Sequence, residues 1–370
     1  MPTASSSPQI NESSEPFFID KQECVEYART FQDLDKLQES CPKSPKKHSQ
    51  LMKRLLQFVE DRISSPQTFF SEFTDVFANL FVKKYQACIL GYRKTSENLK
   101  QMASMDKVFA PICDIPTVRR KRSSTVKIQK SKLKETAVTK YNEAKADLKN
   151  FQAIYQDILK QFIGKIFCHI TKEQDFKIPK CSLEKISSKI LFENSRCYWT
   201  YFELIRYYMM EEEIVLKPLL VKLQTLLPRD FEIIPQFCLP KAAQPYQQAI
   251  ASLNNLERCT NPYGKFEAIG QFREEITKSV ENYYKHDGKE DERAELTADD
   301  VMSIYCYCMA KTKNKNLRAH QVFIEDFVSD TELKYGGKAY YFSTFIGALN
   351  FLVTMANSPM ANEEFELKYF

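Results

Sequence analysis

Glycine is scarce in this chain: eight residues in 370, beside 27 phenylalanines and 19 tyrosines. A doubly wound α/β fold or a β-barrel needs more glycine than that at its turns, so an all-α chain is expected. Histidine is scarcer still. His48, His169, His286 and His320 share no ligand spacing with cysteine or acid, and Cys306 and Cys308 sit two apart on different faces of a helical pattern rather than in a zinc knuckle. No metal site is expected. The 11 cysteines are scattered and odd in number, and no charged n-region with an apolar h-region opens the chain. Reduced cytosolic thiols and a cytoplasmic protein are the expectation.

Long apolar runs are missing too. The apolar part of the longest uncharged stretch, taken from Phe342 to Asn362, contains the turn signal Asn357-Ser358-Pro359. What remains, Phe342 to Ala356, is shorter than the about 20 residues a bilayer span requires and reads as a buried core helix. The net charge of +5 sets up no global basic field, so nucleic acid is not an expected partner. The chain lacks G-x4-G-K-[ST], G-x-G-x-x-G after a strand, H-E-x-x-H and G-x-S-x-G, and Gly336-Gly337 is its only glycine pair. Hydrolase, kinase and dehydrogenase chemistry have no residues to stand on. No covalent chemistry and no cofactor are expected of the chain itself.

What is present is helical periodicity. Residues 1–20, rich in serine and proline, read as a disordered tail. Helices are then expected over Glu23–Glu39, stopped near Cys41 to Pro45, and over Leu51–Ile63. A longer one opens at Ser65-Pro66 and runs to about Leu99, with Phe69, Phe73, Val76, Leu80 and Phe81 at helical spacing. Thr117 to Lys134 is different: Arg119, Arg120, Lys121, Arg122, Lys127, Lys130, Lys132 and Lys134 occur there without one acid and without apolar periodicity. It reads as a solvated loop, residues 117–134, inside a helical bundle of residues 21–199. The alternative for Arg119, Arg120, Lys121 and Arg122 is contact with anionic lipid headgroups, which phosphorylation at Ser123 or Ser124 would weaken. A nuclear-localisation patch is a third reading.

Helical periodicity returns from Lys134 to Ile170, with Tyr141, Leu148, Phe151, Ile154, Tyr155, Ile158 and Phe162 in one stripe. Further helices are expected at Ser182–Phe192, Trp199–Glu213, Lys217–Leu227, Tyr246–Glu257, Tyr263–Tyr284, Ala298–Thr312, Leu317–Val328 and Phe342–Ala356. Pro228, Pro235, Pro240 and Pro245 punctuate the segment between the third and fourth of these.

One helix start carries more than periodicity. In Leu296-Thr297-Ala298-Asp299-Asp300-Val301-Met302-Ser303, Thr297 is a candidate N-cap and Asp300 its capping-box partner. Both acids favour the positive end of the helix dipole. If Asp300 caps, Asp299 is left to face something outside.

These residues and those after them resemble the vacuolar-protein-sorting-nine (VPS-nine) domain, the exchange module for Rab-five-type GTPases. The family's A-D-x-x-L-P-x-x-I-Y helix is matched by Ala298 to Tyr307, its F-I-x-x-F element by Phe323-Ile324-Glu325-Asp326-Phe327, and its G-x-x-G-Y-Y-F-T turn by Gly336-Gly337-Lys338-Ala339-Tyr340-Tyr341-Phe342-Ser343. Asp299 and Tyr340 stand 41 residues apart, as in the family. Weaker likenesses occur at Leu223 to Ile233, at Ala249 and Leu253, and at Pro262-Tyr263-Gly264-Lys265-Phe266. Three positions depart from the pattern: Ser303 for proline, Ser343 for threonine and Ala339 for glycine, the last straining the turn if that position needs positive φ.

The resemblance implies a layered-helix exchange domain over residues 200–360, followed by a short tail at 361–370. It implies that Asp299 is the acidic finger that expels nucleotide, that Tyr340, Ser343 and Ser303 meet the GTPase, and that magnesium and guanine nucleotide belong to that partner. The expected partner is a Rab-five-subfamily GTPase, in endocytic traffic, with the protein peripheral on endosomal membranes. The alternative is a non-catalytic helical scaffold that binds a small GTPase, an anionic membrane, or both. The N-terminal part reads as a bundle rather than a Bin-amphiphysin-Rvs-like hairpin, since no unbroken helix much exceeds about 35 residues on this periodicity.

Overall fold

The computed structural model describes residues 69–109, 116–171, 177–286, 295–314 and 316–357, together with 56, 57 and 60. The expectations for the two tails and for Glu23–Pro45 lie outside those residues, as does all of Leu51–Ile63 except 56, 57 and 60. Among the described residues there are eleven α-helices and no strand, so the fold is all-α. They are α1 (Phe69–Phe109), α2 (Pro116–Thr171), α3 (Lys180–Glu193), α4 (Ser195–Tyr208), α5 (Met210–Leu223), α6 (Gln247–Asn255), α7 (Pro262–His286), α8 (Ala298–Lys311), α9 (Leu317–Phe327), α10 (Asp330–Lys334) and α11 (Gly337–Asn357). Two 3-10 turns, Pro228–Phe231 and Pro235–Phe237, occupy the proline-punctuated segment before α6.

Two expectations are corrected here. The basic stretch 117–134 is no loop: it continues without a break into a 56-residue helix, and α1 reaches 41 residues. Helix length therefore gives no ground for preferring a bundle. The physical reason is propensity. Pro116 suits the first helical position, no proline follows before Thr171, and lysine, arginine, glutamine, alanine and leucine are strong helix formers. Losing the apolar stripe removes a face to bury, not the ability to be helical. Likewise the helix expected at Trp199–Glu213 is two, α4 and α5, parted at Met209 with φ −89° and ψ 8°.

By packing, the chain divides into two compact units. Among the described residues, one comprises those up to Tyr85 with those of Asn142–Cys197; the other comprises those of Gln86–Tyr141 with those from Tyr198 onward.

In the first unit the stripe on α1 is Phe73, Phe77, Phe81 and Tyr85, all buried, whereas Val76 is exposed. The i, i+4 row wins because these rings stack on α2: Phe77 lies 3.9 Å from Phe151, and Phe73 lies 5.0 Å from the same ring. Buried Gln152 donates to Ser188 Oγ at 2.7 Å and Ser187 Oγ at 3.3 Å, which fastens α3.

The second unit is built around α8. Val301 and every residue from Ile304 to Ala310 are buried, so this helix is enclosed on all sides beyond its first turns. α5, α6 and α11 pack against it, and α7 packs along α6 and α11. Phe272 of α7 meets Tyr305 of α8 at 4.5 Å, and Phe266 of α7 meets Phe342 of α11 at 5.7 Å. α11 is 21 residues long and is apolar enough by length and composition to cross a membrane. The sequence had made it too short for that, because its start was placed at Phe342. Its packing marks it as a core helix: Phe342, Phe345, Ala348, Leu349 and Leu352 join the same hydrophobic core.

Buried charges tie the second unit together. Asp326 of α9, 3% exposed, accepts from Tyr141 Oη at 2.8 Å and Tyr201 Oη at 2.8 Å. Burial, with Asp326 beside it, pushes the Tyr141 hydroxyl up, so it stays a donor. Glu213 of α5 accepts from the backbone N–H groups of Arg318 and Ala319, capping α9, whose own first residues offer no side-chain cap. Arg318 then reaches Glu212 at 2.7 Å and Asn350 of α11 at 2.6 Å. Removing one member of such a buried set typically costs about 3–5 kcal/mol.

Lys265, fully buried in the first turn of α7, donates to the carbonyl of Leu256 at the end of α6. Its ammonium faces three rings: Tyr198 at 4.9 Å, Phe202 at 5.5 Å and Phe323 at 5.9 Å. His320, also fully buried and 4.7 Å from Phe202, is held neutral by burial and by the Lys265 charge. Burial pushes Lys265 down from 10.5 to about 7, against the pull of Cys259 and Glu257. Between those values the unfolded chain holds a proton that the folded chain has shed, so stability rises as pH climbs through the window. Urea unfolding from pH 7 to pH 9 should therefore show stability gaining up to about 1.4 kcal/mol per pH unit in the wild type relative to Lys265→Met. Equal slopes would contradict this placement of the charge.

Candidate functional site

The first turn of α8 forms as its residues dictate. Thr297 is the N-cap, at φ −78° and ψ 169°. Asp300 Oδ2 accepts from Thr297 N at 3.0 Å and from Thr297 Oγ1 at 2.6 Å, and Asp300 N donates to Thr297 Oγ1 at 3.3 Å. The capping box expected from the sequence is present. Asp300 is thereby occupied, and the helix start has no need of Asp299.

Asp299 is exposed and makes no hydrogen bond or ion pair among the described residues. Ser303, four residues on and on the same face, is partly exposed. It lies in the helix interior, where its backbone N–H serves the ladder that a proline would interrupt.

Tyr340 and Ser343 lie in the first two turns of α11, because Gly337 opens the helix, five residues before the Phe342 start expected from the sequence. Tyr340 is 51% exposed, and Ser343 is exposed on the same side. Ser343 Oγ donates to the carbonyl of Tyr340 at 2.8 Å, and Thr344 Oγ1 donates to the same oxygen at 3.0 Å. Phe342, two residues on, is the core residue of this turn, at 3% exposed. The positive φ of the turn, 94°, belongs to Gly336. Ala339 is buried within the helix and has no left-handed conformation to support, so alanine in that position is unstrained.

The two helices meet at a contact that the sequence did not single out. A Cβ at Gly347 of α11 would lie 3.1 Å from Met302 Cε of α8. Met302, partly buried against the core, is three residues from Asp299, and partly buried Gly347 is four from Ser343, so each borders the exposed stripe of its own helix. Glycine inside an apolar helix signals such a close approach. Phe351, the next member of the α11 stripe, is 54% exposed. The stripes of α8 and α11 thus present a carboxylate, two hydroxyls, an aromatic ring and an apolar flank. Arg119, Arg120, Lys121 and Arg122 lie on the backbone of α2.

The α8 thiols have no part in this surface. Cys306 and Cys308 are buried, burial pushes Cys306 up to about 12, and Cys308 moves the same way. Among the described residues no group of three or more His, Cys, Asp or Glu side chains converges as a metal site would need. The candidate site is thus a surface of α8 and α11 with the exposed carboxylate of Asp299 at the helix N-terminus.

Comparison with known families matches residues 246–357 to the Vacuolar sorting protein 9 (VPS9) domain. The match takes in α6 through α11 and with them Asp299, Ser303, Tyr340 and Ser343; the weaker likenesses at Leu223–Ile233 lie outside it. No curated protein matches the chain. A VPS9 domain implies guanine-nucleotide exchange on a Rab-type GTPase, and so a small GTPase as partner.

Proposed function

We propose, from the VPS9 domain carried by residues 246–357, that this chain is an exchange factor for Rab-five-subfamily GTPases and that Asp299 is its acidic finger. The observation that carries the proposal is the division of labour at the start of α8: Asp300 closes the capping box, and Asp299 stands exposed and unpaired beside it.

The mechanism follows from charge. A Rab-type GTPase holds its nucleotide through a phosphate loop, a loop lysine and a magnesium ion, and release is slow because these charge-assisted contacts must break together. A carboxylate that enters the phosphate site repels the β-phosphate and neutralises the loop lysine once the nucleotide has left. It therefore favours the empty GTPase over the loaded one, and differential affinity of this kind drives release. Tyr340, Ser343 and Ser303 bind the GTPase beside the finger, with Tyr340 as the aromatic anchor. The chain makes and breaks no covalent bond; magnesium and nucleotide remain the partner's. The protein acts in endocytic traffic from the cytoplasmic side, peripheral on endosomal membranes.

Asp299→Ala tests the finger. Losing a charged contact desolvated in the complex should slow catalysed GDP release about a hundredfold. The thermal midpoint should stay within about 1 °C, because the capping box is untouched. Unchanged release in a folded variant would overturn the finger, and wild-type binding without any release would favour the scaffold.

Membrane contact through Arg119, Arg120, Lys121 and Arg122 is the second part of the proposal. It is supported by the stretch from Thr117 to Lys134, which holds eight basic residues and no acid. Each basic residue near an anionic surface contributes about 1 kcal/mol, so glutamine at all four positions should lower partitioning onto phosphatidylserine vesicles about a thousandfold at low salt. Undiminished co-sedimentation would remove this contact.

A further inference from the structure

We infer that Arg273 of α7 is a positioning residue for Tyr340, acting through the ring of Tyr341. This rests on the exchange reading above, in which Tyr340 is the exposed anchor.

A tyrosine that is half exposed on a helix surface is ordinarily free to change rotamer, and ordering it in a complex costs affinity. Tyr340 is not free in that way. Its ring meets the ring of Tyr341 edge-on, with centroids 6.1 Å apart and planes at 63°. Tyr341 lies back along its own helix over Gly337, where a Cβ would be 3.9 Å from its Cζ and Oη. The Arg273 guanidinium stands 5.7 Å from the centre of the Tyr341 ring.

Arg273 is itself held in place. Its Nη1 donates to Thr277 Oγ1 one turn on. Its Nε is buried and finds no hydrogen-bond partner among the described residues. The face of Tyr341 is the ring contact this guanidinium makes. The approach of the two helices is set one turn earlier, where a Cβ at Gly270 would be 3.6 Å from Lys338 Cγ and where Lys338 pairs with Glu267. The buried hydroxyl of Tyr305 on α8 also lies in the field of Arg273, Tyr340 and Tyr341. Arg273, Tyr341 and Tyr340 therefore form a chain of contacts from the partly buried guanidinium, through a partly buried ring, to the exposed one. The cation keeps the middle ring in place, and the middle ring limits the outer one.

The test has two arms on the full chain. In the first, 3-fluorotyrosine is placed at position 340 and its fluorine resonance is read without any GTPase. Arg273→Met should move the resonance toward the free amino-acid value, and Arg273→Lys, which keeps the charge, should restore most of the wild-type shift. An unmoved resonance in Arg273→Met overturns the inference. In the second arm, GDP release is titrated against exchange factor. Arg273→Met should raise the half-saturating concentration about fivefold to tenfold while the maximal rate is kept, since Asp299 is untouched. The same substitution should add less than about twofold when Tyr340 is already alanine. Equal effects with and without the Tyr340 ring would show Arg273 to be structural only, and overturn the inference. If the wild type releases nucleotide from no Rab GTPase, it is the exchange reading that fails, and the fluorine resonance still decides the positioning.

Discussion

The enclosure of α8 is the constraint on which the rest of the second unit depends. A helix buried from Ile304 to Ala310 on every side has only its N-terminal turns in water. Polar function on this helix is confined to that end. The backbone donors there must be satisfied locally, and Thr297 and Asp300 do so. Asp299 is then held at the mouth of a rigid rod, near the positive end of its dipole, with no competing partner. A carboxylate on a loop would pay to be ordered when a partner arrives; one on this helix is already placed.

The helices around α8 are fastened by few buried charges, each shared between elements. Asp326 ties α9 to tyrosines of α2 and α4, Glu213 caps α9 from α5, and Lys265 closes the end of α6 against rings from α4 and α9. None of these groups faces the candidate site. Their effect is to make the frame intolerant of displacement, because shifting one helix leaves a buried charge without its partner. The short distance between Gly347 and Met302 belongs to the same frame and brings the second helix of the site alongside the first.

Much of this was legible in the sequence. The helix starting at Ala298 and its capping box follow from Thr297 and Asp300 alone, since caps are local chemistry. The helices expected at Tyr246–Glu257, Tyr263–Tyr284, Ala298–Thr312 and Leu317–Val328 agree with α6 to α9 to within two residues at each end, because their apolar rows are regular and their ends are marked; α11 starts five residues earlier than expected, and the short α10 gave no periodic signal. Other features depended on partners distant in the chain and stayed hidden. The buried row of α1 runs through Phe77, not Val76, because Phe151 supplies the opposing ring. Arg273 gave no signal in sequence, since its role exists only when α7 lies against α11. The basic stretch differs for another reason: it has no apolar face to mark a helix, yet helix propensity sustains α2 through it.

The central claim is that this surface prefers an empty GTPase to a loaded one. The most direct measurement is the affinity of the full chain for a Rab-five-subfamily GTPase, first stripped of nucleotide and then saturated with GDP and magnesium. The account predicts that the stripped form binds about a hundredfold tighter or more, and that Asp299→Ala erases most of that difference. Equal affinity for the two forms would contradict it, since a partner that binds both states alike shifts nothing.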